Sequence, residues 1–378
     1  MDLPSAANIQ YQIVVDIYIM GALCTFGIAG NVLSLVVLGR DQTIRRTTGF
    51  LLQMLAVTDA LCLVSYLIAD TLYAALRWKD WLPETVQVIW PYVLVYLAPI
   101  ASTTTTASVW MVVLLTADRY VAICRPLHAA QYSTLPRLRM AIAVIWVLAI
   151  AFYVPRFFAL TVVEVSPSNS LPLSGSISGN YSTMNLTWNS TSAQSQRMLE
   201  IRYTDMGITK VYSVVYLLCL NSIVRFLIPM VALVFFNQCL VHALRESDQL
   251  RCHSATEGGT GRQHTWMLVV VVIVFVICQL PGVAYYVCYV LNEYANVLFS
   301  DSAFQYAATT VELMHVVNSS VNIVIYCIMG RQFRAILLRM IGCDGQRSNL
   351  TPNPEMDPGR PMVPLPHVPT PHPPEHSQ

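Results

Sequence analysis

The chain has 378 residues, of which 55% are hydrophobic and only 11% are charged, and its formal net charge is +1. Soluble globular proteins carry about 25% charged residues, so this composition excludes an ordinary soluble domain and indicates an integral membrane protein. A net charge so close to zero gives no indication of a nucleic-acid partner.

Seven apolar segments are long enough to cross a bilayer, which requires about 20 residues of helix. They predict an all-α membrane protein built as a seven-helix bundle. In chain order the segments are Ile17–Gly39, Thr47–Ala69, Thr85–Ala117, Met140–Val163, Val211–Val241, Thr265–Leu291 and Ser302–Gly330. We expect residues 1–11 to precede the bundle domain at 12–341, which ends in a short amphipathic helix at 331–341. The Pro-rich residues 342–378 are expected to form a disordered tail.

The loops predict the orientation of the bundle. Arginines cluster in alternate connections, among them Arg45, Arg125 and Arg245, and such connections stay in the cytoplasm. The opposite long loop, at about 164–210, contains three glycosylation sequons, at Asn180, Asn185 and Asn189. We therefore expect a multi-pass plasma-membrane protein with an extracellular N-terminus and a cytoplasmic C-terminus. No basic segment precedes the first span, so no cleaved signal peptide is expected.

Asp118-Arg119-Tyr120 ends the third segment, at its predicted cytoplasmic boundary. An arginine there can extend to the membrane interface at modest cost. Asp118 can neutralise it in one conformation, and a different partner can replace Asp118 in another. The triplet alone is also compatible with charges that simply end a helix.

Further motifs occur in order along the seven segments and give the chain a family resemblance. They are Gly30-Asn31-Val32, Leu55 to Asp59, Trp146, Pro229, Phe275 with Cys278 and Pro281, Asn318 with Asn322 and Tyr326, and Phe333. Together with the triplet they resemble the rhodopsin-like G-protein-coupled receptors, from about Gly30 to Cys343. Two stretches, around Asp118 and around Asn322, are similar to FMRFamide-type neuropeptide receptors and to a related orphan branch thought to sense aromatic amino acids.

The resemblance implies a receptor, not an enzyme, that binds an extracellular neuropeptide or a small ligand such as an aromatic amino acid and activates a heterotrimeric G protein. It also implies contacts with membrane lipid and with arrestin, and palmitoylation at Cys343. A membrane transporter is the alternative from another class, but no repeat relates the two halves of the chain. The residues expected to couple the bundle to the G protein are Asp118, Arg119, Tyr120, Leu127, Phe275, Pro281 and Tyr326.

Asp59 is an acid about 18 Å inside the second segment, a depth that follows from 1.5 Å per residue. By resemblance, its polar partners are Asn31, Ser108, Asn318 and Asn322. One carboxylate among neutral oxygens suits a sodium ion better than a transition metal, and no other cofactor is expected. A protonated, hydrogen-bonded Asp59 is the alternative.

Acidic and basic groups near the outer ends of the segments predict a ligand cavity, because ionisable groups inside spans are costly and usually functional. Glu312 and Arg225 would bind a peptide with a basic residue and an amidated terminus, or a zwitterionic amino acid, or would simply pair with each other. The candidate ligand-binding residues are Asp70, Thr105, Asn221, Arg225, Gln279, Tyr286, Glu312 and His315. Ala101 and Val316 replace the acid of amine receptors and the lysine of opsins, which disfavours monoamines and retinal.

The chain departs from the family pattern at several positions. Gln279 stands where the family has a tryptophan, and Ile323 replaces the seventh-segment proline, so we expect that helix to lose a kink. Leu94 replaces the cysteine of the extracellular disulfide, and no cysteine occurs between Leu160 and Lys210. The long outer loop must therefore be held by other contacts, or be mobile.

Overall fold

A computed structural model describes residues 10–11, 13–40, 46–78, 83–165, 198–251, 259–294 and 301–340. Within these residues seven helices are long and apolar enough to cross a membrane, and each coincides with a predicted segment. From the first span to the seventh they are Ile13–Arg40, Thr47–Leu76, Val88–Cys124, Leu135–Ala159, Val211–Ala243, Val269–Tyr289 and Ala303–Met329. The predicted seven-helix bundle is therefore confirmed.

The spans belong to helices that are in part longer. The third lies in Pro83–Cys124, the fifth continues to Arg251, and the sixth lies in Gly259–Tyr294. Short helices follow the third span, at Pro126–Tyr132, and the seventh, at Arg331–Met340, where the sequence predicts an amphipathic helix. The predicted disordered tail, residues 342–378, lies outside the described residues.

Three spans contain π-helical segments, and all of these lie toward the same end of the bundle. They are Ile13–Met20 in the first span, Leu67–Leu72 in the second, and Val211–Leu220 with Ile223–Leu227 in the fifth. Each π-helical turn changes which side chains face the interior relative to an ideal α-helix. Such turns occur frequently at functional sites, and here they contain Asp16, Asp70 and Arg225.

One short two-stranded sheet accompanies the helices and leaves the predicted all-α class unchanged. The fourth span ends at Ala159 instead of Val163, and the chain continues as strand β1, Leu160–Val165, paired antiparallel with strand β2, Met198–Tyr203. β-branched residues fill much of β1, and such residues favour strands. Thr204 then donates its hydroxyl to the Phe158 carbonyl (2.7 Å), so backbone pairing and a side-chain contact hold both flanks of the long loop without a disulfide.

The seventh span is interrupted at Val321, between Asp301–Ser320 and Asn322–Met329, although it contains no proline. The Ser320 hydroxyl donates both to the Val316 carbonyl (2.7 Å) and to the Leu23 carbonyl of the first span (3.0 Å). A serine that bonds back to its own helix often bends it. The seventh span therefore bends at Val321 without a proline, whereas the sequence predicted the loss of a kink, and backbone hydrogen bonds continue across the bend from Val321 N–H to the Val317 carbonyl (3.0 Å) and from Ile325 N–H to the Val321 carbonyl (3.1 Å).

Candidate functional site

Polar residues occur at both ends of the bundle, and we name each end by one of its residues. The Glu312 end contains the first turns of the seventh span, and the Arg119 end contains the last turns of the third span. The first span begins at the Glu312 end, because the Tyr11 and Tyr306 rings lie 4.5 Å apart edge to face. A third polar cluster, around Asp59, lies between the two ends.

Three acids from different spans converge at the Glu312 end. Asp16, Asp70 and Glu312 interact electrostatically with one another. The π-helical segments that contain Asp16 and Asp70 are joined by a hydrogen bond from the Thr71 hydroxyl to the Asp16 carbonyl (2.8 Å). None of the three carboxylates forms an ion pair within the described part of the chain. This acidic group is suited to bind a cation.

Arg225 is the buried base of the same region, with only 8% of its surface exposed. Both Glu312 and His315 lie within electrostatic range of it. Arg225 forms no ion pair with a described residue, and its Nε has no hydrogen-bond partner among them. The direct Arg225–Glu312 pair, one of the alternatives raised by the sequence, is thus not formed in the described structure.

Gln279 and His315 are also buried without partners. They are 2% and 3% exposed, and both amide atoms of Gln279 and both ring nitrogens of His315 lack a hydrogen-bond partner among the described residues. Most buried polar groups in proteins are paired. His315, within electrostatic range of Arg225, and Gln279, one helical turn from the contact of Gly282 with Phe226, therefore present polar atoms that a ligand or water would satisfy.

Tyr153 of the fourth span is the centre of a hydrogen-bond network that joins four spans. Its hydroxyl donates to Oδ1 of Asn221 (2.8 Å) and lies 2.9 Å from the Thr106 hydroxyl. Nδ2 of Asn221 in turn donates to the Tyr286 hydroxyl (2.7 Å). This network fixes Asn221 and Tyr286, two of the predicted ligand residues, beside Arg225.

Thr105 has the weakest geometric support among the predicted ligand residues. Its hydroxyl donates to the Ala101 carbonyl (2.7 Å) and lies 3.3 Å from the Cys62 thiol and 3.5 Å from the Tyr66 hydroxyl. These contacts use Thr105 in packing between the second and third spans. Its role in ligand binding remains a prediction.

The polar network around Asp59 joins the second, third and seventh spans. The Ser108 hydroxyl donates to Oδ1 of Asp59 (2.6 Å), and Nδ2 of Asn322 donates to Oδ2 (2.7 Å). Asp59 is completely buried. Asn31 is linked indirectly, because its amide donates to the Ser319 carbonyl (3.0 Å). Ser319, which the sequence did not single out, also interacts with the Asp59 carboxyl group.

At the other end of the bundle, Arg119 forms an ion pair with Asp118, with 2.6 Å between Nη2 and Oδ2. The Ser133 hydroxyl donates to the second oxygen of Asp118. The Tyr120 ring packs on Phe236 of the fifth span, with 5.4 Å between centroids. Asp118 is therefore held from two sides, and Arg119 is held by Asp118.

The remaining predicted coupling residues are distributed over the short helix after the third span and over the sixth and seventh spans. Leu127 is 91% exposed, at the start of the short helix after the third span. Tyr326 and Phe275 are buried, and the Tyr326 ring lies 5.7 Å from Phe333. Pro281 lies inside the sixth helix.

Sequence reasoning missed Asp16, Tyr153 and Ser133. The predicted first span begins one residue after Asp16, although the apolar residues from Ile13 continue that span past it. A tyrosine inside a span needs a hydrogen-bond partner, so Tyr153 was detectable, whereas no local feature marks Ser133. The predicted glycosylation sites Asn180, Asn185 and Asn189 and the palmitoylation site Cys343 lie outside the described residues.

Comparison with known proteins adds a family match. The model of the family described as 7 transmembrane receptor (rhodopsin family) matches residues 30–326. The chain is 26% identical to the FMRFamide receptor of Drosophila melanogaster, over 85% of this chain and 52% of the receptor, so it spans about half of that relative. It is 26% identical to the thyrotropin-releasing hormone receptor of Mus musculus over 90% of this chain and 81% of the relative. It is 27% identical to the allatostatin-A receptor of Bombyx mori, over 85% of this chain and 78% of that receptor.

Proposed function

Because the chain belongs to the rhodopsin family of seven-transmembrane receptors, we propose that it binds an extracellular peptide at the Glu312 end and activates a heterotrimeric G protein at the Arg119 end. The observation that carries the proposal is the group of three carboxylates without ion-pair partners among the described residues, Asp16, Asp70 and Glu312. A basic group of a peptide would neutralise them with charge-assisted hydrogen bonds. The relatives named for peptides support the same ligand class.

Activation would proceed as a shift between two conformations, because an agonist favours the conformation that it binds better. In the active conformation the sixth span moves outward around Pro281 and Arg119 leaves Asp118. A helix of the G protein then enters the opened cleft, where exposed Leu127 offers an apolar contact. This mechanism requires the Arg119 end to face the cytoplasm of the plasma membrane, the orientation expected from the loop arginines. Arrestin would bind at the same end.

Glu312→Gln tests the ligand site. Membranes containing the full chain would be assayed for guanine-nucleotide exchange with FMRFamide, with the free acid of the same tetrapeptide, with thyrotropin-releasing hormone and with allatostatin A. The variant should require about 10-fold or more of an active basic peptide, since a hydrogen bond to a charged group contributes about 1.5–3 kcal/mol.

Glu246→Gln is the matched control, because Glu246 is an exposed acid in the extension of the fifth helix toward the Arg119 end. Unchanged potency in Glu312→Gln, or an equal loss in the control, would contradict the site. Accumulation of a labelled solute in vesicles, without nucleotide exchange, would support a transporter instead.

A small zwitterion such as an aromatic amino acid is the second candidate ligand. The observation in its favour is that an unpaired base, Arg225, lies within electrostatic range of Glu312 and among aromatic rings, including Phe226 and Tyr286. A zwitterion places both of its charges within a short distance. Exchange stimulated by phenylalanine or tryptophan and by none of the peptides would favour this candidate.

We further propose that the Asp59 network binds a sodium ion. The oxygen atoms there are those of the buried Asp59 carboxylate and of the Ser108 and Ser319 hydroxyls, and oxygens of this kind fit a hard monovalent cation. Asn322 would orient the carboxylate through its amide N–H. A bound ion would neutralise Asp59 and hold the second, third and seventh spans together.

Replacing Asp59 with asparagine is expected to remove the effect of sodium on agonist affinity. In the unchanged chain, exchanging sodium for N-methylglucamine should raise that affinity about 5-fold or more, the scale of a typical coupling between two sites. Competition binding in the two salts measures the effect. The control is Thr58→Ala, because the Thr58 hydroxyl bonds to the Met54 carbonyl of its own helix and not to the Asp59 network. A sodium effect that persists in Asp59→Asn would refute the ion site.

A further inference from the structure

At the Glu312 end the acidic and the basic side chains come from different spans. Asp16, Asp70 and Glu312 come from the first, second and seventh spans, whereas Arg225 comes from a π-helical turn of the fifth. A cationic ligand group would neutralise the acids and leave Arg225 unpaired. The base therefore requires an explanation of its own.

Arg225 is a buried cation without a counter-ion among the described residues. It is 8% exposed, and its described electrostatic neighbours are Tyr66, Tyr153, Tyr286 and Cys62, together with Glu312 and His315. No described acid forms an ion pair with it. Arg156, the other arginine of this region, differs because it donates to the Ser102 hydroxyl (2.8 Å). Buried charges are normally paired, since an unpaired one is costly to keep out of water.

Gln279 and His315 are further buried side chains whose hydrogen-bond donors are unused within the described part of the chain. His315 is within electrostatic reach of Arg225. Gln279 lies one turn from Gly282, which packs so closely on Phe226, next to Arg225, that a Cβ added to the glycine would stand 2.7 Å from that ring. The Gln279 amide and the His315 ring have no partner among the described residues. A guanidinium, an amide N–H and an imidazole N–H together form a set of donors without a fixed acceptor.

We propose that Arg225, Gln279 and His315 form an anion subsite that binds the carboxylate of a ligand. A planar carboxylate accepts two parallel hydrogen bonds from a guanidinium, which favours it over a neutral amide. Phe226 and Tyr286, whose rings lie 5.4 Å apart, make an aromatic group the best neighbour of that carboxylate. The inference deepens the proposed function, on which it rests: the ligand has a free acid beside an aromatic ring, not an amidated end.

Two pairs of probes that differ only in this group test the subsite: phenylalanine with phenylalaninamide, and the tetrapeptide Phe-Met-Arg-Phe as free acid and as amide. The readout is the melting temperature of the purified full chain. We expect the acid of at least one pair to stabilise the protein at about 10-fold lower concentration than its amide. A preference for phenylalanine over phenylalaninamide would indicate that the ligand is a free amino acid. A preference for the tetrapeptide acid over its amide would indicate that the ligand is a peptide with a free carboxyl end. No difference within either pair would overturn the proposal.

Arg225→Met supplies a measurement that does not depend on identifying the ligand. Without ligand, removal of an unpaired buried charge should raise the melting temperature, and the acid should lose its advantage over the amide. Arg156→Met is the matched control and should lower the melting temperature, because Arg156 is hydrogen-bonded. A lower melting temperature for ligand-free Arg225→Met would show a structural role and overturn the subsite. If acids stabilise the protein but no probe stimulates nucleotide exchange, the subsite stands and the proposed function fails.

Discussion

Arg119→Ala is expected to decrease agonist-stimulated nucleotide exchange about 10-fold or more while the agonist still binds. In the structure Arg119 is held by Asp118, which Ser133 holds from its other side. In the active conformation the guanidinium would instead face the G protein, and no alanine contact can replace it. Loss of charge-assisted hydrogen bonds worth about 1.5–3 kcal/mol corresponds to a decrease of about 10-fold or more in the exchange rate.

Exchange should be measured on purified G protein with membranes matched for receptor number, beside agonist binding in the same preparation. Arg137→Ala is the control, since Arg137 lies at the same end of the bundle and donates to the Gln131 carbonyl instead of an acid. Stimulated exchange that survives in Arg119→Ala at the rate of the unchanged chain would contradict the coupling mechanism. Loss of agonist binding in the same variant would show instead that Arg119 supports the folded bundle.

Gly27→Val is expected to prevent the bundle from folding. A Cβ at this position would stand 2.3 Å from the Ser320 hydroxyl oxygen and 2.6 Å from Cδ1 of Leu63, so the first span could not approach the second and the seventh. Small residues allow such close approach between helices in membranes. Overpacking a tight interior lowers the free energy of unfolding by about 1–3 kcal/mol. Because Gly27→Val creates two clashes at once, we expect a loss at or above the upper end of this range.

Surface expression of a tagged full chain and the melting temperature in detergent measure this effect. Gly39→Val is the matched control, because a Cβ there meets only the Gln53 amide nitrogen at 3.5 Å. Both substitutions replace a glycine of the same helix, Gly21–Arg40, with valine, so a difference much larger than a helix-propensity effect of about 1 kcal/mol reports the clash. Normal expression and stability of Gly27→Val would mean that the first span does not pack as closely as the structure shows.

The sequence predicted the spans well because the requirement for a span is local: about 20 apolar residues in succession. All seven segments were found, including the fourth and the seventh, which contain Arg156 and Glu312. The errors fall at segment ends. The first span begins before Asp16, and the fourth span ends before its predicted end, where β1 begins. Neither a short π-helical segment nor a strand changes the apolar composition by which spans are recognised.

The partners of the polar residues were predictable only where family motifs supplied them. Asp59 with Ser108 and Asn322 was anticipated in this way, although Asp59 and Asn322 are 263 residues apart. Ser133 with Asp118, and Tyr153 with Asn221, were not anticipated. A hydrogen bond between spans depends on the rotation and depth of two helices, and these quantities are set by packing over the whole bundle.

By itself, the sequence determined that this chain crosses the membrane seven times and which side chains bring charge into the bundle. Composition and apolar length are properties of contiguous residues, and burial of apolar surface follows from them directly. Only the tertiary structure decided that Arg225, Gln279 and His315 are buried with polar atoms that lack partners among the described residues, while Asn221 bonds to both Tyr153 and Tyr286. A polar side chain is satisfied or left unsatisfied by atoms from other helices, and their positions exist only once the bundle has packed.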